Sequence, residues 1–379
     1  MDVLPRERVL ICLQHKEPDR VPLDLGGMMT TIEACVYDKL KSLLGIQSET
    51  IKFMREHVAP DEEILEKLGI DTRYVRMNPS PNRKASHEME DSYVDEWRIV
   101  WRKFKGTLYY EPVSSPLEKV LTINELNKYT FPDPCDPRRV IGLREKTRSL
   151  YQQGIYAIIA DAPQQGIFET AFLLRGLANF LEDLALREEF ATELLSRVCD
   201  YMIALYDTYL TEVGEYVQVV FTGDDVGMQN RLLISPSMYR QILKPFHNKF
   251  WRFIKQKTQA YLFFHSCGSV YPLIPDFIEM GLDILNPIQV SAKDMDTARL
   301  KDEFGGKISF WGAIDTQHVL PYGSPEEVEA EVKQRIKDLA PGGGYVLCAV
   351  HDIQPDVKPE NVISMYDSAR KYGAYPIKL

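Results

Sequence analysis

The chain has no long hydrophobic run. Its apolar stretches, such as Ala157-Ile158-Ile159-Ala160, fall far short of the roughly 20 residues that span a bilayer, so no membrane partner is expected. The opening Met1-Asp2-Val3-Leu4-Pro5-Arg6-Glu7-Arg8 has no apolar h-region, so no secretory leader is expected. Cysteine is scarce: Cys12, Cys35, Cys135, Cys199, Cys267 and Cys348 lie far apart in 379 residues. That spread argues against a disulfide scaffold and for a reducing, cytoplasmic setting. Positive charge is in deficit, with 45 Lys+Arg against 55 Asp+Glu and a net charge of −10. A nucleic-acid partner gripped through its phosphates is therefore not expected. With 45% hydrophobic and 26% charged residues, wholesale disorder is excluded. There is no P-loop, G-x-S-x-G or H-E-x-x-H, and Leu25-Gly26-Gly27-Met28 does not fit G-x-G-x-x-G.

What is present is a short apolar run followed by a helical stretch, again and again. Candidate strands fall at 21–25, 72–76, 156–160, 217–221, 260–264, 283–285, 308–311 and 345–347. Ser324-Pro325-Glu326-Glu327 is a capping box with proline at the first helical position, and Ser235-Pro236 opens another helix. Gly373, after Arg370 and Lys371, closes the last. Eight strands alternating with helices predict an α/β fold, a (β/α)8 TIM barrel, as one domain over 1–379. The runner-up, an open doubly wound sheet, lacks its glycine-rich first turn. One stretch, about 79–134, breaks the pattern. Glu96 to Arg102, Gly106 and then Leu108-Tyr109-Tyr110 read as a β-hairpin insertion. It either shapes the active site, offering Trp97 and its neighbouring rings to a flat substrate, or merely packs on the barrel.

Barrel chemistry sits at the C-terminal ends of the strands. Those ends carry Asp161, Asp224-Asp225, His265-Ser266-Cys267, Asn286, and Cys348 followed by His351-Asp352. On a strand, residues i and i+2 share a side, so His265 and Cys267 both face the mouth, and Cys348 is a candidate third ligand. One imidazole and two thiolates suit zinc and leave a fourth position open. A buried cysteine is, however, more often a small hydrophobe than a ligand. Adjacent carboxylates face opposite sides of a strand, so one of Asp224 and Asp225 enters the site and the other is free to cap a helix. His351 reads equally as an acid, a supporting group or a core histidine.

Several segments resemble the uroporphyrinogen decarboxylase superfamily, over nearly the whole chain. They are Arg6-Glu7-Arg8-Val9-Leu10 with Pro18-Asp19-Arg20-Val21-Pro22, Gly223-Asp224-Asp225-Val226-Gly227, Ile234-Ser235-Pro236 through Lys244-Pro245, and Gly344-Tyr345-Val346-Leu347 through Pro359-Glu360-Asn361-Val362. The resemblance implies a TIM barrel. The decarboxylases carry an arginine-rich segment after the first strand. Here it reads Gly26-Gly27-Met28-Met29-Thr30, and Phe172 replaces their tyrosine, although His351 matches their histidine. His265, Cys267 and Cys348 match the zinc ligands of the corrinoid-dependent methyltransferase branch, which includes methylcobamide:coenzyme M methyltransferases and O-demethylase subunits. That branch implies an enzyme using Zn2+ with a corrinoid (cobalamin) on a separate partner protein. It moves a methyl group between a small methylated substrate, an aromatic methyl ether being the first choice, and cobalt, or onward to a thiol or folate acceptor. Asp161, Asp224, Asp225 and His351 are the expected catalytic groups, with Trp97 and Asn286 touching substrate. The alternative is a non-catalytic or tetrapyrrole-binding barrel, or a true decarboxylase.

Overall fold

The computed structural model describes residues 3–80, 91–107 and 109–379. Residues 81–90 of the expected insertion, its Leu108, and Met1-Asp2 lie outside the described residues. Seven parallel strands form one curled sheet: Thr72–Val75, Ala157–Ala160, Val219–Gly223, Tyr261–His265, Ile284–Asn286, Ser309–Ile314 and Tyr345–Ala349, each beside its neighbour in sequence. Segment 21–25 lies between the sheet's two edges. Leu23 bridges Leu347 in parallel, and the Leu23 carbonyl accepts from Asp71 N at 2.9 Å, just before the strand Thr72–Val75. The sheet thus closes in the TIM-barrel manner, with the eight expected strand positions in place.

The strands are buried on both faces, as a helix-covered parallel sheet requires. Alternate residues point inward: Ile159, Phe221, Phe263, Trp311, Val346 and Cys348 pack together in the lumen. Their neighbours, such as Leu262, Phe264 and Leu347, pack under the helices. The first helix, Pro5–Leu13, plugs the lower end with Val9, Cys12 and Leu13. Its Arg8 and the following Arg20 both grip buried Asp71, at 2.6 and 2.7 Å. Asp71 also accepts from Leu23 N at 2.8 Å, so the Arg6–Pro22 motif seats segment 21–25 against its neighbour.

Helix starts follow the local chemistry. Ser324 caps Pro325–Leu339 and Ser235 accepts from Met238 N at 3.1 Å. The insertion differs from the expected hairpin. It is a three-stranded antiparallel sheet of Ser92–Val94, Val100–Lys103 and Tyr110–Ser114. Trp97 is not on a strand. It sits in the turn before Val100, where Asp95 accepts from Ile99 N and Arg98 takes φ 65°. Its ring is buried against Tyr201 and Phe131, with centroids at 4.5 and 5.7 Å. The alternation of aromatics across Glu96–Arg102 therefore reflects a turn leading into a strand.

Candidate metal centre at the barrel mouth

His265 is the last residue of its strand and continues the inward row set by Phe263. Its Nδ1 lies 2.5 Å from Asn286 Oδ1. Asn286 donates its amide NH2 to the Trp311 carbonyl at 3.0 Å, so its Oδ1 faces His265 as an acceptor. Nδ1 therefore carries the proton, and the lone pair is on Nε2. That Nε2 is 3.4 Å from Cys267 Sγ. The His351 ring meets the His265 ring edge-on at 5.5 Å. One ligand-type atom from each of His265, Cys267 and His351 falls within 4.8 Å of the others. Cys267 and His351 border a cavity of about 500 Å3, rimmed by Met228, Gln289, Gln354 and Tyr109 of the insertion.

The donor set fits a zinc ion. Two imidazoles and a thiol are borderline-soft ligands, and Asn286 presets the first. His351 Nδ1 is buried without a hydrogen-bond partner among the described residues, though Asp352 lies 3.6 Å away. Burial holds His265 down to about 4, and burial also lowers His351, so both rings are neutral near pH 7. Burial, reinforced by Asp225, pushes the Cys267 thiol well up, a cost that a cation would relieve.

Cys348 is not in this group of three. Its side chain faces the lumen with Trp311 and Val346, and its thiol lies 3.2 Å from the Ala349 carbonyl. Asp224 turns outward. Its two oxygens accept from Phe168 N and Glu169 N at 2.7 and 2.8 Å, at the start of the helix Ile167–Arg175, and His247 Nε2 lies 2.9 Å away. Asp225 turns inward, and its Oδ1 accepts from Cys267 N at 2.7 Å. Asn286 is fully buried behind His265, with both amide atoms committed to His265 and the Trp311 carbonyl. Asp161 sits across the mouth. Its carboxylate accepts from Met28 N and Ala162 N, and pairs with Arg76 at 2.8 Å. Trp97 lines a second cavity with Asp161.

Three groups carry no sequence signal. Glu169 is partly buried beside Asp225, whose N–H donates to it at 3.3 Å; burial and Asp225 push its carboxyl well up. His57, from a two-residue strand outside the barrel, pairs with Asp352 at 3.0 Å. Burial would raise the Asp352 carboxyl, but His57 and His351 outweigh it and hold it below its ordinary value. His247 links Asp224 to the Tyr239 hydroxyl at 3.1 Å. No spacing rule brings His57 and Glu169 to the mouth, or sets His247 behind Asp224.

Two stability predictions arise here. Asp224→Ala leaves two buried helix N–H groups and His247 without their acceptor. It should cost about 3 kcal/mol in urea unfolding; a loss under about 1 kcal/mol would contradict the capping role. The second concerns pH in the metal-free protein. Burial lowers His265 from 6.5 to about 4, so unfolding takes up a proton between those values and acidification destabilises. Burial raises Asp161 from 3.8 to about 6, against the pull of Arg76, so its contribution is lost as pH rises through 6 and acidification stabilises. The two oppose each other, at about 3 kcal/mol each at most. Asp161→Asn should uncover a steeper loss of stability on acidification from pH 6.5 to 4, and His265→Gln a gain below 6. Unfolding midpoints with unchanged pH slopes in both variants would contradict this.

The sequence matches the uroporphyrinogen decarboxylase (URO-D) family over residues 109–372. It is 26% identical over 184 residues to a uroporphyrinogen decarboxylase from Xanthomonas axonopodis pv. citri (strain 306), covering 46% of this chain and 48% of that protein. It is 33% identical over 81 residues to one from Pseudoalteromonas atlantica, covering 21% and 22%. The chain spans about half the length, or less, of these curated relatives. A solved methyltransferase from Methanosarcina mazei shares the fold with a TM-score of 0.67 and 18% identity, over 98% of this chain and 99% of that one.

Proposed function

Because the chain belongs to the uroporphyrinogen decarboxylase (URO-D) family, we propose that it works within that family as a zinc-dependent methyltransferase. It moves a methyl group between a small methylated compound, an aromatic methyl ether as first choice, and the cobalt of a separate corrinoid protein. The observation that carries this reading is the grouping of His265, Cys267 and His351 within 4.8 Å beside an open cavity. The whole-length likeness to a methyltransferase fold supports it.

His265 and Cys267 hold the ion in this reading. His351 groups with them as a third donor, and Cys348, the ligand expected from the family pattern, lies on the lumen side. Bound there, zinc supplies Lewis acidity to an ether oxygen or keeps an acceptor thiol as its thiolate. The chain's own residues do the rest. Asn286 fixes the His265 tautomer, and Asp225 anchors the Cys267 backbone. Glu169, whose carboxyl burial and the neighbouring Asp225 push up, is the candidate proton donor to a leaving oxygen in this reading.

Decarboxylation, the activity in the relatives' names, is the second reading. Against it stands segment 26–30, which offers a polyanionic tetrapyrrole no arginine. Metal analysis separates the two, since the first requires about one zinc per chain. A panel of methoxylated aromatics, methylamines, methanol and thiols, each mixed with a reduced corrinoid protein, then names the donor. Methylation from methylamines or methanol alone would remove the aromatic ether and keep the methyl transfer.

A further inference from the structure

Asp352 is 1% exposed and lies between two imidazoles. Its Oδ1 accepts from Thr31 N at 3.3 Å. Its Oδ2 is 3.0 Å from His57 Nε2 and 3.6 Å from His351 Nδ1. Neither contact of Oδ2 is aligned as a hydrogen bond, so Oδ2 and His351 Nδ1 are both buried atoms without such a partner among the described residues. Each is what the other lacks, an acceptor and a ring nitrogen that can donate, and buried polar atoms call for partners. Contacts of this length at a reactive site tighten when the site is loaded.

The backbone fixes this arrangement. Ile353 N donates to the Thr31 carbonyl and Glu33 N to the Ile353 carbonyl, at 2.9 and 3.0 Å. On the other side Val58 N donates to the Ile32 carbonyl at 3.2 Å, and the Thr31 hydroxyl to the Val58 carbonyl at 2.6 Å. Segment 31–33 is thus bridged to Ile353 on one side and to His57 on the other, which sets Asp352 and His57 on a paired backbone. The two imidazoles of the metal centre then have matching supports. Asn286 Oδ1 faces His265 Nδ1, and Asp352 Oδ2 faces His351 Nδ1. An ionised carboxylate only accepts, so it admits one tautomer of the ring beside it. We propose that Asp352 is a positioning residue that keeps the proton on His351 Nδ1 and leaves the Nε2 lone pair to the mouth, with His57 as the brace that holds Oδ2 toward the ring. The use of that lone pair to hold zinc rests on the methyl-transfer reading; the tautomer requires no metal.

The test reads the ring directly. In the metal-stripped full chain with labelled histidine nitrogens, NMR at about pH 8 separates a ring nitrogen that carries a proton from one that carries a lone pair. His351→Gln removes the His351 signals and so identifies them. Wild type should show the Nδ1–H form. Asp352→Asn keeps the shape of the side chain. Its oxygen stays with Thr31 N, and its NH2 takes the place of Oδ2 and offers a proton where the ring needs an acceptor. His351 should then change to the Nε2–H form. With the lone pair turned away, zinc affinity, read by competition against a chromophoric chelator, should fall by about 10- to 100-fold. His57→Leu should give a mixture of the two forms, while His57→Gln, whose NH2 still reaches Oδ2, should keep Nδ1–H; this pair decides the proposal should Asp352→Asn fail to fold. The Nε2–H form in wild type, the same form in wild type and Asp352→Asn, or His57→Leu and His57→Gln alike would overturn it. A change of form with zinc affinity unchanged would take His351 out of the metal centre and leave Asp352 assigned. Wild type without zinc would refute the function proposed above, and the tautomer would still decide the role of Asp352.

Discussion

Cys267→Ser should leave the purified protein with less than about a tenth of its zinc and slow methyl transfer by about a thousandfold or more. Among the described residues, Cys267 is the thiol whose sulfur already faces an imidazole lone pair, at 3.4 Å from His265 Nε2. A serine hydroxyl in its place is a hard, neutral donor that does not ionise near pH 7, so a borderline-soft ion loses its charged ligand. The same measurement identifies the third donor. If His351 holds the ion, His351→Gln should lose metal and Cys348→Ser should keep it. If the lumen rearranges to bring Cys348 forward, the order reverses. Full zinc in Cys267→Ser, with the variant folded, would remove the assigned centre altogether.

Asn286→Leu should weaken zinc binding by about 10- to 100-fold while the protein stays folded. The side chain touches no metal. It acts by accepting the His265 Nδ1 proton, with its own NH2 held by the Trp311 carbonyl. Leucine fills the space and leaves that N–H and the carbonyl unpaired in a fully buried site, at about 2 kcal/mol of stability. The His265 ring then gains freedom to turn, and its lone pair is no longer fixed toward Cys267. Competition against a chromophoric chelator reads the affinity. An affinity equal to wild type would show that His265 needs no orienting partner, and that Asn286 is only a core amide.

The barrel was legible because its signals are local. Short β-branched and aromatic runs end in polar residues, and all eight positions hold in the structure, with 21–25 closing the sheet through bridges rather than a long ladder. The period of two also separates Asp224 from Asp225. One oxygen set goes to a helix start and the other to Cys267 N. The same rule placed Cys348 on an inward face, but says nothing about depth. Strand tilt and stagger decide which inward residues meet at one level, and here His351, from the loop after the last strand, stands closer to His265 and Cys267. Asn286 ends a strand at the mouth, and its amide oxygen lies against His265 Nδ1, a contact that no spacing rule gives. Trp97 looked like a strand residue because the turn at Asp95–Ile99 depends on a side-chain acceptor and one positive φ, not on glycine or proline. His57 and Glu169 reach the mouth from a short outlying strand and a helix start, which only tertiary packing specifies.

The most direct test of methyl transfer at this centre is a single-turnover mix of zinc-loaded protein, a responsive methylated donor and a cob(I) corrinoid protein, with the cobalt spectrum followed in time. The cob(I) absorbance should decay to that of the methylated corrinoid at a rate set by the protein. That decay should vanish after chelation and in Cys267→Ser, and return when zinc is restored to wild type. A cob(I) signal that persists with every donor while zinc is bound, or that decays equally fast after the metal is removed, would contradict it.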